Sequence, residues 1–108
     1  MRRRAVVALL TGTLITGSAH VAAQDAAAAV ALAEKHLCLS CHRVDSKLVG
    51  PAYKDVAAKY KGDPGALDRL VAKVVKGGKG VWGQTPMPAN KDVSEADVRT
   101  IVTWVLSL

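Results

Sequence analysis

Three stretches of this chain repeat apolar side chains at the spacing of a helix. Tyr53, Val56, Ala57 and Tyr60 stand at i, i+3, i+4 and i+7, which predicts a helix over 51–60. Leu67, Leu70, Val71, Val74 and Val75 mark a second buried stripe, opened by Asp63 as N-cap with Pro64 behind it and closed by Gly77-Gly78. Val98, Ile101, Val102 and Val105 mark a third, broadened by Trp104; Ser94 caps it, Asp97 completes a capping box, and Val93 and Val98 are spaced for a hydrophobic staple. A further helix is predicted over the Ala-rich stretch 25–36, with Asp25 as its N-cap. Residues 43–50 lack a period and read as loop, as do 79–91, where Gly80, Gly83, Pro86 and Pro88 interrupt any regular helix. No strand pattern stands out. The expected fold class is all-α, about four short helices in one domain.

The first residues follow a different logic. Arg2, Arg3 and Arg4 precede an uncharged apolar run over 5–15, and small residues end in Val21-Ala22-Ala23. That order is the layout of a cleavable secretory signal over 1–23. The competing reading, an uncleaved anchor, wants about 20 apolar residues and has too few. Cleavage after Ala23 leaves 108 − 23 = 85 residues, 24–108, as the mature domain. The net charge then falls from +6 to 12 − 9 = +3, because three arginines leave with the signal. A mild lysine excess suits an acidic protein face. Without a dense basic run or interleaved aromatics it does not suit nucleic acid. The chain has no Phe, two Trp and two Tyr, few large side chains from which to build a core. Domains this small often need a staple or a cofactor.

Both cysteines lie in Cys38-Leu39-Ser40-Cys41-His42, the C-x-x-C-H pattern of haem c attachment. Two cysteines one turn apart reach the two vinyl groups of the ring, and the next side chain presents its imidazole to the iron. Three other uses of the pair fit less well. A structural zinc site needs about four N/S ligands, and outside the motif the mature chain adds only His36. A thioredoxin-like pair wants a βαβ context. A plain disulfide would close too short a loop to stabilise much.

The mature chain keeps one methionine, Met87, 45 residues after His42. A lone Met is usually core filler. Here Pro86 and Pro88 hold it in an extended loop off every helical stripe, which suits an axial ligand opposite His42. His36 precedes His42 on the proximal side and reads as a partly exposed surface histidine. His/Met ligation raises the reduction potential relative to two nitrogens, and it leaves electron transfer as the remaining chemistry.

With these residues in place, the chain from Leu32 onward resembles the short bacterial class I cytochromes c, in particular the cytochrome c-551 subgroup. The matching segments are the haem motif, Val49-Gly50-Pro51-Ala52-Tyr53-Lys54-Asp55-Val56-Ala57-Ala58-Lys59, Gly80-Val81-Trp82-Gly83, Pro86-Met87-Pro88 with Asn90, and 91–106 ending in Trp104-Val105-Leu106. The resemblance implies a class I cytochrome c fold wrapped around one covalent haem c. It implies that the Pro51 carbonyl accepts the other ring N–H of His42, that Trp82 bonds a haem propionate with Lys47 nearby, and that the Asn90 amide orients the Met87 sulfur. Ala33 and Leu37 depart from the pattern, standing where an aromatic and a Gly are expected, so the N-terminal helix is expected to pack differently on the last one.

The function these readings imply is a monomeric, diffusible electron carrier in the periplasm, not an enzyme. It would run between a membrane cytochrome complex and a periplasmic reductase or terminal oxidase, without membrane insertion of the mature chain. An apolar rim of Val49, Ala52, Pro86 and Pro88 with Lys35, Lys47 and Lys54 around it would dock these redox partners. The rival class, an enzyme or gas sensor acting at the iron, would need an open or easily displaced distal position.

Overall fold

The computed structural model describes residues 8–9, 11–13 and 18–108, with side chains in the first helix described from Asp25 onward. The rest of the expected signal segment lies outside the described residues. Helix α1 spans Ser18–Lys35, α2 Tyr53–Lys59, α3 Ala66–Lys76 and α4 Glu95–Leu106, and a single 3-10 turn, Cys38–Ser40, follows α1. The expected helix at 25–36 thus starts earlier, and in this full chain Asp25 stands inside α1 rather than at its cap. Residues 18–35 contain neither Gly nor Pro, so nothing local stops the helix before the expected cleavage point.

α4 is the axis of the fold, packing against α1, α2 and α3. Ser94 Oγ accepts the Asp97 N–H at 3.1 Å, the expected cap, and Val93 packs beside the cluster that holds Val98. The apolar stripe of α4 serves two clusters. Ile101 and Val105 meet Ala33, Tyr53 and Val56, while Val98 and Val102 meet Val71 with Leu67, Leu70 and Val74 around them. Ala33 is fully buried in this core, with its α1 neighbour Leu32 packed against it. His36 is more covered than a surface histidine, and its Nε2 lies 3.4 Å from Asp97 Oδ2, linking the end of α1 to the first turn of α4.

Two expectations need correction. Asp63 does not cap α3 directly. Its carboxylate accepts the Gly65 N–H at 3.0 Å and pairs with Arg69, forming a turn from which the helix begins at Ala66. These two donors hold the Asp63 carboxyl below its usual range, Arg69 contributing most. The strand-free loop expected over 79–91 contains an antiparallel ribbon of β1, Gly78–Gly80, and β2, Gly83–Met87. Its ladder is irregular between Gly78↔Met87 and Gly80↔Gly83. A two-stranded ribbon has only edge strands, where Pro86 is tolerated because its missing N–H breaks no second ladder.

Leu37 ends α1 with φ 61°, the sole non-glycine with positive φ among the described residues. It is the position where the family resemblance expects Gly. The left-handed region costs an L-residue about 1–2 kcal/mol. Leu37 is 72% exposed and returns little by burial. Glycine gives back about 0.4–1 kcal/mol through the freer unfolded chain. Leu37→Gly is therefore expected to stabilise the folded protein by about 0.5–1 kcal/mol, a rise of about 2–8 °C in the thermal midpoint. Thermal unfolding followed by circular dichroism checks this.

Candidate functional site

The 3-10 turn Cys38–Ser40 begins where Leu37 reverses the chain. The Cys41 and His42 N–H groups both reach the Cys38 carbonyl, at 3.2 and 3.1 Å. This places the cysteines one turn apart with His42 directly after them. Both thiols are free and half-buried. Burial pushes the Cys38 thiol up from its ordinary value, with Cys41 adding to the effect, so at neutral pH it stays protonated.

The His42 ring is held on several sides. Its Nδ1 lies 2.8 Å from the Pro51 carbonyl oxygen. A carbonyl only accepts, so Nδ1 carries the proton and the lone pair is left on Nε2. Tyr53 stacks on the imidazole, with centroids 5.0 Å apart and planes 17° from parallel, and Trp104 meets the Tyr53 ring edge-on at 5.6 Å. Burial raises the Tyr53 hydroxyl well above its usual range, so it stays neutral. A Cβ at Gly50 would overlap Cε1 and lie 2.8 Å from Nδ1 and 2.9 Å from Nε2. Near-equal distances to both nitrogens put that Cβ over the ring face, so only glycine lets the backbone lie this close. The loop is fixed in turn by the Gly50 and Val49 N–H groups, which donate to the Cys41 carbonyl at 2.8 and 3.2 Å.

Cys38, Cys41, His42 and Met87 all line one cleft, partly open to solvent. Its walls take in Val56, Leu70, Val98, Ile101, Val102 and Val105, so the cleft passes between the two apolar clusters of the core. Pro51, Trp82 and Asn90 line it too, as does Lys47. The Asn90 amide does not turn to the Met87 sulfur: Nδ2 donates to the Val74 carbonyl at 3.1 Å and the Pro88 carbonyl at 3.2 Å, so it secures the loop that carries Met87. Trp82 is 42% exposed, with the Lys59 ammonium 5.6 Å from its ring centre.

The expected docking rim is partly redrawn. Val49, Pro86 and Pro88 line the cleft, but Ala52 is buried and Lys54 is paired with Asp45 at 2.5 Å. Lys73 and Lys79 take the place of Lys35 and Lys54 on the cleft wall. Lys73 was legible in principle, since it follows Leu70 by three and precedes Gly77 by four on one face of α3. A stripe defined by apolar residues alone passes over it. Gly50 carried no signal beyond a turn, because its close approach to His42 exists only in the folded chain.

The wall chemistry fits a large apolar, anionic group with a metal at its centre. The lining combines apolar side chains with two thiols, and an imidazole and a thioether are available there as ligands. Among the described lining residues the charged groups are three lysines and no carboxylate.

The family model described as "Cytochrome c" matches residues 26–108. A cytochrome c-551 of Allochromatium vinosum is 56% identical over 91 residues, covering 84% of this chain and 97% of that protein. A cytochrome c-551 of Pseudomonas aeruginosa is 44% identical over 108 residues, covering 99% and 98%. The crystal structure of wild-type Nitrosomonas europaea cytochrome c552 superposes with a TM-score of 0.70 at 47% identity, covering 72% of this chain and 96% of that one.

The packing of Gly50 against His42 makes a direct prediction. Gly50→Ala should destabilise the fold by about 1–3 kcal/mol through overpacking and weaken the Nδ1–H bond to Pro51. Pro51→Ala, which keeps the carbonyl, should retain that bond. Denaturant unfolding gives the first effect, and the exchange rate of the His42 ring N–H by NMR gives the second.

Proposed function

This chain belongs to the cytochrome c family, in its short class I branch with the cytochromes c-551, and on that premise we propose that it is a periplasmic one-electron carrier whose iron is held between His42 and Met87. Its single covalent haem c supplies the Fe(II)/Fe(III) couple. The observation that carries the reading is the convergence of both cysteines, His42 and Met87 on one apolar cleft.

Each residue has a part that follows from its position. Cys38 and Cys41 tether the group at adjacent points from a single turn. Proton-bearing Nδ1, bonded to Pro51, fixes the tautomer of His42 and makes Nε2 the better donor. Tyr53 and the bare Gly50 backbone keep the imidazole from turning. Met87 brings a soft thioether that favours the reduced state. Lys47, Lys73 and Lys79, with the indole N–H of Trp82, supply positive charge and a donor for the carboxylates of the ring. The apolar wall keeps water from the centre, so little solvent reorganises when one electron moves.

With His42 and Met87 both holding the iron, no position would be left there for substrate. This favours a carrier over the enzyme or gas-sensor class. The Pro86-Met87-Pro88 loop, tied down by Asn90, supports the same choice. Residues 1–23 then serve as the export signal, and the acidic faces of a membrane cytochrome complex and a periplasmic reductase or oxidase are the partners. Val49, Val81 and Trp82 are exposed beside the cleft and offer an apolar contact, with the cleft lysines steering the encounter.

Replacing Met87 by Ala tests the ligand set. The variant should lose the weak far-red sulfur-to-iron band, fall in reduction potential, and bind carbon monoxide in the reduced state. Spectra and a redox titration that match wild type would leave Met87 as packing only. Electron exchange with an acidic partner should slow several-fold as the Debye length shrinks from about 30 Å at 0.01 M salt to about 10 Å at 0.1 M. Lys73→Glu should slow it further, as stopped-flow rates would report.

A further inference from the structure

Gly77 closes α3 at φ 71° and ψ −165°, a region of backbone space open almost to glycine alone. A Cβ there would stand 2.5 Å from the Met87 carbonyl oxygen, 2.7 Å from the Ala89 nitrogen and 2.9 Å from the Pro88 carbonyl carbon. All three are backbone atoms, so no side-chain rotation relieves the overlap. The same segment is bound to the preceding turn of α3, because the Asn90 backbone N–H and Nδ2 both donate to the Val74 carbonyl, at 3.2 and 3.1 Å. Beyond Gly77, Gly78 pairs with Met87 in the ribbon. The last turn of α3 and segment 87–90 therefore form one packed unit, and the missing side chain of Gly77 sets how closely they approach.

We propose that Gly77 is a positioning residue for the Met87 sulfur, an inference that rests on the reading of Met87 as the distal ligand. Any side chain at 77 drives the Met87-Pro88-Ala89 backbone outward. Ordinary contact begins at 3.4 Å, so the retreat is 3.4 − 2.5 = 0.9 Å. That displacement lies directly on the residue whose sulfur must reach the iron. Gly62 supplies the control: its φ is 77°, but a Cβ there meets nothing within 4 Å. Substitution at 62 brings the backbone strain without the collision.

The test uses holoprotein expressed from the full chain, as wild type, Gly77→Ala, Gly62→Ala and Met87→Ala. The readouts are the far-red sulfur-to-iron band and the affinity of the ferric protein for imidazole, which competes with the thioether. Gly77→Ala is expected to bind imidazole at least about tenfold more tightly than wild type, about 1.4 kcal/mol, with a weakened band. Gly62→Ala is expected to lose stability while keeping the wild-type band and affinity. A Gly77→Ala protein with wild-type band and affinity overturns the proposal, as does equal loosening by Gly62→Ala. A wild-type protein with no band, unchanged in Met87→Ala, defeats the ligand reading itself and the proposal with it. If Gly77→Ala yields no holoprotein, amide exchange in wild type decides. Saturating imidazole should speed exchange of the Asn90 amide at least tenfold, because displacing Met87 loosens the unit that amide holds closed. Unaltered Asn90 exchange with imidazole bound overturns the proposal.

Discussion

One hydrogen bond governs the rest: the 2.8 Å contact that commits His42 Nδ1 to the Pro51 carbonyl. It decides which imidazole nitrogen is free and where that nitrogen points. The contact depends on Gly50, whose bare backbone lies over the ring, and on the loop bonds from Val49 and Gly50 to the Cys41 carbonyl. It depends on Tyr53 as well, which stacks on the imidazole and meets Trp104 of α4 edge-on. The orientation of His42 is thus built partly from α2 and the axial helix α4, elements that also make the core.

The core and the site are one structure. The two apolar clusters share α4, and their side chains form the cleft walls as well as packing on one another. Val98 is the largest side chain more than 98% buried among the described residues. A domain this short buries a limited fraction of its surface, and its covalent haem c supplies apolar surface that the side chains lack. The Met87 segment is fastened to the end of α3 by Asn90, Val74 and Gly77. His42 and Met87 are thus each secured through a glycine contact and a backbone carbonyl, and both line one cleft.

Much of this was legible in the chain. The periods of α2, α3 and α4 and the Ser94 cap are local patterns, and the structure repeats them. The C-x-x-C-H motif located both thiols and the imidazole because haem attachment demands contiguous residues. What escaped is what depends on distant neighbours. The ribbon Gly78–Met87 is held by pairing across a turn and has no alternating pattern to announce it. Ala52 looked like rim and is buried, while Lys73 and Lys79 reach the cleft from a helix and a ribbon that only the fold brings together. Asn90 was expected to address the Met87 sulfur and instead fastens its loop to Val74, a contact across 16 residues. Leu37, which stands where a Gly was expected, keeps a left-handed backbone without glycine's freedom.

We propose that His42 Nε2 and the Met87 sulfur are the two ligands that the protein gives its haem iron. X-ray absorption at the iron edge of the purified holoprotein reads that coordination sphere directly. Five nitrogen neighbours and one sulfur are expected, with the sulfur contribution present in both oxidation states and gone in the Met87→Ala protein. A sphere of nitrogens alone, or a five-coordinate iron, would contradict it.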